Sequence, residues 1–274
     1  MGFLNKLFKK NKPAEQPLVK AENKYQCDWD YYLTNINDKI GSITVDLGLN
    51  AIAPIQAQPN LVWVSVKLNH PTDNGLSTSE ELPSLAAIED ALVAAIEAKY
   101  ISTNIGRVTT NGHRTFYFYV DDSLLVDKTI SDTMVAFPTY EYDYGTAEEK
   151  AWDCYFEFLY PDPETLQSIT NRKVLNNLQK NGDPLTKARE VSHWIFFKNA
   201  ADRETYITAV AKENFVIADK NYDTAYGKFP YKLRINRVDN VDQDSVDEYV
   251  IYLWRLANEC NGDYDGWETS VEKD

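Results

Sequence analysis

Apolar residues recur along this chain with two different periods. Between Ser84 and Lys99, Leu85, Ile88, Leu92 and Ile96 return every three or four residues, and Glu89, Asp90 and Glu97 fall mostly off that stripe. Such spacing predicts an amphipathic helix. Elsewhere the period is two, or the apolar run is nearly continuous. Tyr31 to Ile36 and Ser42 to Leu47 are expected as strands around the polar turn Asn37-Asp38-Lys39. Leu61 to Leu68 is rich in β-branched and aromatic residues, the pattern of a central strand. Ser102–Thr110 and Arg114–Val120 flank Asn111-Gly112-His113. An Asn-Gly pair tolerates the positive φ of a tight hairpin. A helix is expected over Ser123–Val135, and Tyr140 to Tyr144 alternates like a strand. From Leu61 the predicted order is β-α-β-β-α-β.

The second half repeats that order. Cys154 to Tyr160 is aromatic and is expected as a strand. Asp162-Pro163-Glu164 places a cap, a proline and an acidic residue where a helix starts, and Gly182 ends that helix. Val191–Lys198 has apolar side chains on both faces and reads as a central strand. Asn199 caps a helix from Ala200 to about Asn214. Phe215–Asp219 and Tyr231–Val238 follow as strands. In the latter, Tyr231, Leu233 and Ile235 share one face, and Lys232, Arg234 and Asn236 the other. Ser245 and Glu248 read as a capping box for a helix striped with Val246, Tyr249, Val250, Leu253, Ala257 and Cys260. Gly262 stops it, and Trp267–Val271 is a last short strand. Helices on one face of an antiparallel sheet in this order form the ferredoxin-like split βαβ arrangement. The expected fold is therefore α+β: two tandem ferredoxin-like (βαββαβ) sandwich domains, with extra N-terminal strands. Both halves open with Trp-Asp-x-Tyr, at Trp29 and Trp152.

Charge refines the domain picture. The 274 residues carry a formal charge of −14. Residues 1–24 are net +4, residues 25–150 net −11, and residues 151–274 net −7. We expect a flexible basic tail over 1–24, a first domain over 25–148 and a second over 149–274, with the polar stretch Gly145 to Lys150 between two aromatic patterns. In the tail, Phe3, Leu4, Leu7 and Phe8 share a helical face, but no secretory h-region follows, so the segment reads as a solvated leader. No apolar run reaches the ~20 residues of a membrane span. Cys27, Cys154 and Cys260 are far apart and odd in number, which points to a reducing cytoplasm and to no disulfide framework.

The strongly acidic balance disfavours a nucleic-acid backbone as partner. Tyr-rich strands can stack bases, but no basic interleaving accompanies them, so core and interface packing is the expected role. No GxSxG, P-loop, GxGxxG or HExxH pattern occurs. His70, His113 and His193 are scattered, and His193 reads as a buried, hydrogen-bonded residue rather than a base. Asn261 to Glu272 has oxygen side chains at EF-hand positions 1, 3, 5 and 12 and Gly266 at position 6. Only two residues follow, so no exiting helix forms, and no metal or cofactor is expected there.

Two stretches carry a resemblance to known families. Arg189-Glu190-Val191-Ser192-His193-Trp194-Ile195-Phe196-Phe197, with Tyr264-Asp265-Gly266-Trp267-Glu268-Thr269 and Asn171-Arg172-Lys173-Val174-Leu175 before Gly182-Asp183, resembles the regulator of ribonuclease activity B family over about residues 152–273. Ala188 and Ser192 replace that family's usual proline and aspartate. Trp29-Asp30-Tyr31-Tyr32, Leu61–Pro71, Gly106 to Gly112 and Tyr140–Thr146 are similar to the domain of unknown function 695. The first resemblance implies a protein that binds and inhibits ribonuclease E without catalysing a reaction; the second implies no function. The expected protein is thus a non-enzymatic regulator that contacts a basic segment of a ribonuclease or other RNA-processing protein, not nucleic acid directly. Its expected contact residues are Glu190, His193, Asp265, Trp267 and Glu268. The alternative is an enzyme or small-ligand binder with a site in the cleft between the domains.

Overall fold

The computed structural model describes residues 25–273, so the expected basic tail lies outside the described residues. The first part of the chain forms β1 (Trp29–Ile36), β2 (Lys39–Asp46), β3 (Asn60–Lys67), α1 (Leu82–Glu97), β4 (Ser102–Thr110), β5 (His113–Val120), α2 (Val126–Met134) and β6 (Tyr142–Glu148). Its six strands pair in the order β1-β2-β4-β5-β3-β6, every neighbouring pair antiparallel. The second part forms α3 (Pro163–Lys180), β7 (Arg189–Phe197), α4 (Ala200–Val210), β8 (Val216–Tyr222), β9 (Tyr231–Asp239), α5 (Gln243–Glu259) and β10 (Gly262–Thr269). Its four strands pair antiparallel in the order β10-β7-β9-β8. The protein is thus a mixed α+β chain with two open antiparallel sheets.

Turn chemistry sets the hairpins. Asn37 and Asp38 both take positive φ between β1 and β2, and Asn111 and Gly112 do so between β4 and β5. Two left-handed residues in succession match the twist of the flanking strands. Gly145 on β6 lies opposite Trp63, and a Cβ there would meet the Trp63 ring at 2.6 Å, so the indole lies across bare backbone.

Alternation along β3 and β5 divides the first core in two. Val62, Val64, Val66, Phe116 and Phe118 meet Leu85, Ile88, Leu92 and Ile96 of α1 and Ile130 of α2 on one face. Leu61 and Tyr119 point the other way, joining Tyr32, Ile43, Val45 and Ile105. This second face is covered by Trp152, Tyr155, Leu159 and Ile169. The Trp152 indole stacks on Tyr119 with centroids 4.2 Å apart and planes 6° apart, and its Nε1 donates to the Gln58 carbonyl at 2.9 Å. Tyr155 and Tyr32 hydroxyls donate to the carbonyls of Asp46 and Leu159. A buried aromatic group whose polar handle is bonded adds packing without an orphaned donor.

That covering segment departs from expectation. Cys154–Leu159 is not a strand but a wide helical turn, closed by the Tyr160 N–H donating to the Tyr155 carbonyl at 2.7 Å. Its aromatic residues have strand propensity, but burial against the sheet decides the local form. The last long helix also starts differently. Asp242 caps it by accepting from the Ser245 N–H, and Ser245 Oγ donates to the same carboxylate, so Ser245 does not open a capping box. The closing strand begins at Gly262 rather than Trp267, and residues 262–269 of the EF-hand-like spacing run along β7. The polar stretch from Gly145 to Glu148 pairs with β3 as part of β6.

Trp152→Ala removes the largest side chain of the covering segment and should cost about 3–5 kcal/mol of stability. Urea unfolding of the full chain checks this; an unchanged midpoint would show that the indole contributes nothing to the core.

Candidate functional site

The motif residues of the second sheet mostly weld its elements together. α3 places Asn171 in the core, where its Oδ1 accepts from Trp267 Nε1 at 2.9 Å and its Nδ2 donates to Asp247 at 2.8 Å. Asp247 on α5 also accepts from Ser168 and Gln243. One buried amide therefore ties α3, α5 and β10. Asp183 forms a second tie. It accepts both guanidinium nitrogens of Arg189, the Leu185 N–H and the Glu272 N–H, and Arg189 also donates to the Ser270 carbonyl. The Arg189 hydrogen bonds hold the Asp183 carboxyl well below the usual carboxylate range.

His193 and Trp267 face each other across β7 and β10, and both are buried. His193 Nδ1 lies 2.7 Å from the Tyr264 hydroxyl, and the rings of Phe215 and Tyr249 enclose the imidazole edge to face. Burial first, and the Arg237 charge second, push the His193 pKa down to about 3. The ring is neutral at physiological pH and has no access to solvent. Of the five residues expected to contact a partner, these two therefore pack the domain. Glu190, Asp265 and Glu268 are exposed. Among the described residues their side chains make no hydrogen bond or ion pair. Glu268 pairs with Ser192, two residues from Glu190, so those two carboxylates share one face; Asp265 sits in the bulge between Tyr264 and Gly266.

The helix-free face of this sheet, which also carries Glu190 and Glu268, is not legible in single strands. Leu175 and Leu178 of α3, Tyr206 and Val210 of α4, and Val246 and Leu253 of α5 all pack against Val191, Ile195, Leu233 and Ile235. The alternate residues of the two inner strands, Ser192, Trp194 and Phe196 on β7 and Lys232, Arg234 and Asn236 on β9, are half-buried on the side without helices. Alternation within each strand was legible. Pairing between them was not, because it joins residues about 40 positions apart (compare Trp194 with Arg234).

The two parts of the chain touch through charge beside the apolar packing of Ile169. Arg172 on α3 donates to Asp30 at 2.6 Å and to the Tyr31 carbonyl, and its guanidinium lies 4.4 Å from the Tyr31 ring centroid. Lys173 bonds the Asp28 carboxylate at 2.7 Å. Ion pairs thus line this contact. Among the described residues, no three His, Cys, Asp or Glu side chains gather in a metal-holding group.

Fold and motifs define a class: an α+β protein whose two antiparallel sheets are joined by an aromatic covering segment and one long helix. Residues 27–160 match the model of a family of unknown function, DUF695, and residues 168–269 match that of Regulator of ribonuclease activity B. The N-terminal part therefore resembles the first family and the C-terminal part the second, as the motif segments implied. A solved structure described as an unknown protein from Galdieria sulphuraria is similar at 12% identity, over 78% of this chain and 99% of that one, with a TM-score of 0.22. No curated protein matches the chain.

The buried imidazole gives stability a pH dependence. In the unfolded chain His193 regains a pKa of about 6.5. The proton then binds only the unfolded state, so stability is full above that value and falls as pH drops toward 3. The loss is at most about 1.4 kcal/mol per pH unit. Asp183 adds its own loss only below about pH 4, where an unfolded carboxylate protonates. Urea midpoints should therefore decline between pH 6.5 and 4.5, and His193→Gln should flatten that decline. An equal slope in both proteins would place the titrating group elsewhere.

Proposed function

We propose that this chain is a non-enzymatic regulator that binds a protein of the RNA-processing machinery, a ribonuclease of the ribonuclease E type being the favoured target. The observation that carries the reading is the match of residues 168–269 to the regulator of ribonuclease activity B model. The contact residues proposed are Glu190, Asp265 and Glu268, with His193 and Trp267 setting the strands that present them. Three exposed, unpaired carboxylates support a basic segment as the complementary surface. Opposite fields speed encounter, and a covered arginine-rich segment is no longer free to hold RNA, which gives inhibition without chemistry. The net charge of −14 supports the same direction of attraction.

Two finer readings accompany it. We read each sheet as a ferredoxin-like split βαβ unit. The spatial orders β4-β5-β3-β6 and β10-β7-β9-β8, each equivalent to 2-3-1-4 in one direction or the other, support this. We also assign the protein to a reducing cytoplasm, supported by three free cysteines. No helix among the described residues is long and apolar enough to cross a membrane.

Binding of the full chain to a basic segment of a ribonuclease E-type enzyme, measured across a salt series, tests the reading. Affinity should weaken steadily as salt rises. Glu190→Lys and Glu268→Lys together should weaken it at least 10-fold. Absence of binding at low salt, or binding untouched by both reversals, would refute the proposal.

A further inference from the structure

All three helices of the second part lie on one side of its sheet, which leaves the inner strands β7 and β9 uncovered by helix on the other. Antiparallel register there sets Trp194 beside Arg234, Phe196 beside Lys232 and Ser192 beside Asn236. Directly opposed residues in adjacent strands are near neighbours, so each ring has a cation next to it. Tyr226 adds a third ring, 4.9 Å from Phe196, and Lys198 continues the alternation at the end of β7. On its other side Trp194 is paired with Gly266, where a Cβ would meet nothing within 4 Å, so room remains beside the indole. Two polar atoms of this face, Arg234 Nε and Asn236 Oδ1, are buried without a hydrogen-bond partner. One is a donor and the other an acceptor, and both are costly while unmet.

We infer that this face binds single-stranded nucleic acid, with Trp194 and Phe196 stacking on bases and Lys232, Arg234 and Lys198 facing phosphates and base edges. Aromatic side chains two residues apart on an inner strand of an open four-stranded sheet present flat surfaces about 7 Å apart, which suits splayed bases, and every base has a π-face to offer. Lys232 shares its charge with Asp219 of β8, 3.6 Å away, whereas Arg234 makes no ion pair among the described residues and would meet a basic peptide with like charge. Glu268 lies on β10 and Glu190 at the start of β7, so these two carboxylates border one end of the track and leave the Trp194–Lys198 end to a phosphate backbone. Reading each strand alone hides this surface, because the aromatic residues lie on one strand and the cations on the next. The inference does not depend on the ribonuclease reading, and it concerns different side chains.

The test is fluorescence anisotropy of the full chain with a labelled single-stranded RNA decamer, a DNA decamer of the same sequence, and an RNA duplex. At about 50 mM salt, saturable binding to the single strands in preference to the duplex is expected. Trp194→Ala should weaken it about 10-fold or more, as loss of one stacking platform does. With three phosphate contacts, raising salt from about 50 to 200 mM should weaken binding roughly 20-fold, and Lys232→Gln should reduce that dependence. Circular dichroism checks the fold of each variant; should Trp194→Ala unfold, Lys232→Gln and Phe196→Leu carry the test. No saturable binding at low salt, equal binding of the duplex, or affinity unmoved by these variants would overturn the inference. So would loss of binding to an arginine-rich peptide, with RNA binding unaffected, in Trp194→Ala.

Discussion

The stacking of Trp152 on Tyr119 is the contact on which the arrangement of the chain depends. A six-stranded sheet with α1 and α2 on one face leaves apolar residues on its other face, and these must be buried. The segment from Trp152 to Leu159 buries them and then runs through Asp162 directly into α3. α3 carries Ile169 into the first core and Leu175 and Leu178 into the second. One continuous stretch therefore seals the first sheet and supplies a wall of the other. Arg172 and Lys173, on the side of α3 toward β1, add charge pairing with Asp28 and Asp30.

The same economy governs the second sheet. Its most distinctive residues are largely structural: Asn171 bonds Trp267, Asp183 bonds Arg189, and His193 meets Tyr264. Each pair joins an element outside the central strand to another part of the sheet, and each polar atom involved is shielded from water. A buried polar group must be bonded, so such pairs permit few alternative packings. These residues hold β7 and β10 in register, and that register determines which side chains reach the surface.

What reaches the surface is sorted by strand. β10 contributes exposed Asp265 and Glu268, β7 contributes Glu190, Trp194 and Phe196, β9 contributes Lys232 and Arg234, and β8 sets Asp219 beside those two cations. An acidic protein thus carries one local strip where rings and cations alternate beside a carboxylate rim. The carboxylates proposed to meet a basic protein segment and the rings and cations proposed to meet a nucleic-acid strand are therefore different side chains. Net charge, being a sum over the chain, conceals such local sorting.

Much of the fold was legible in local pattern. The stripe Leu85, Ile88, Leu92, Ile96 and the alternation of Tyr231 to Asn236 fixed element type and inward face, because side-chain direction follows from backbone period alone. The Asn-Gly hairpin and the Asp162-Pro163 helix start were likewise local chemistry. Cys154–Leu159 was not, since aromatic residues favour a strand until a sheet face demands a helical turn. For the candidate contact residues, sequence alone established that the motif held three carboxylates, a histidine and a tryptophan. Only the tertiary structure separated exposed Glu190, Asp265 and Glu268 from buried His193 and Trp267. It also decided that Trp194 lies beside Arg234, because neighbours across a sheet are set by strand order and register, which join distant parts of the chain.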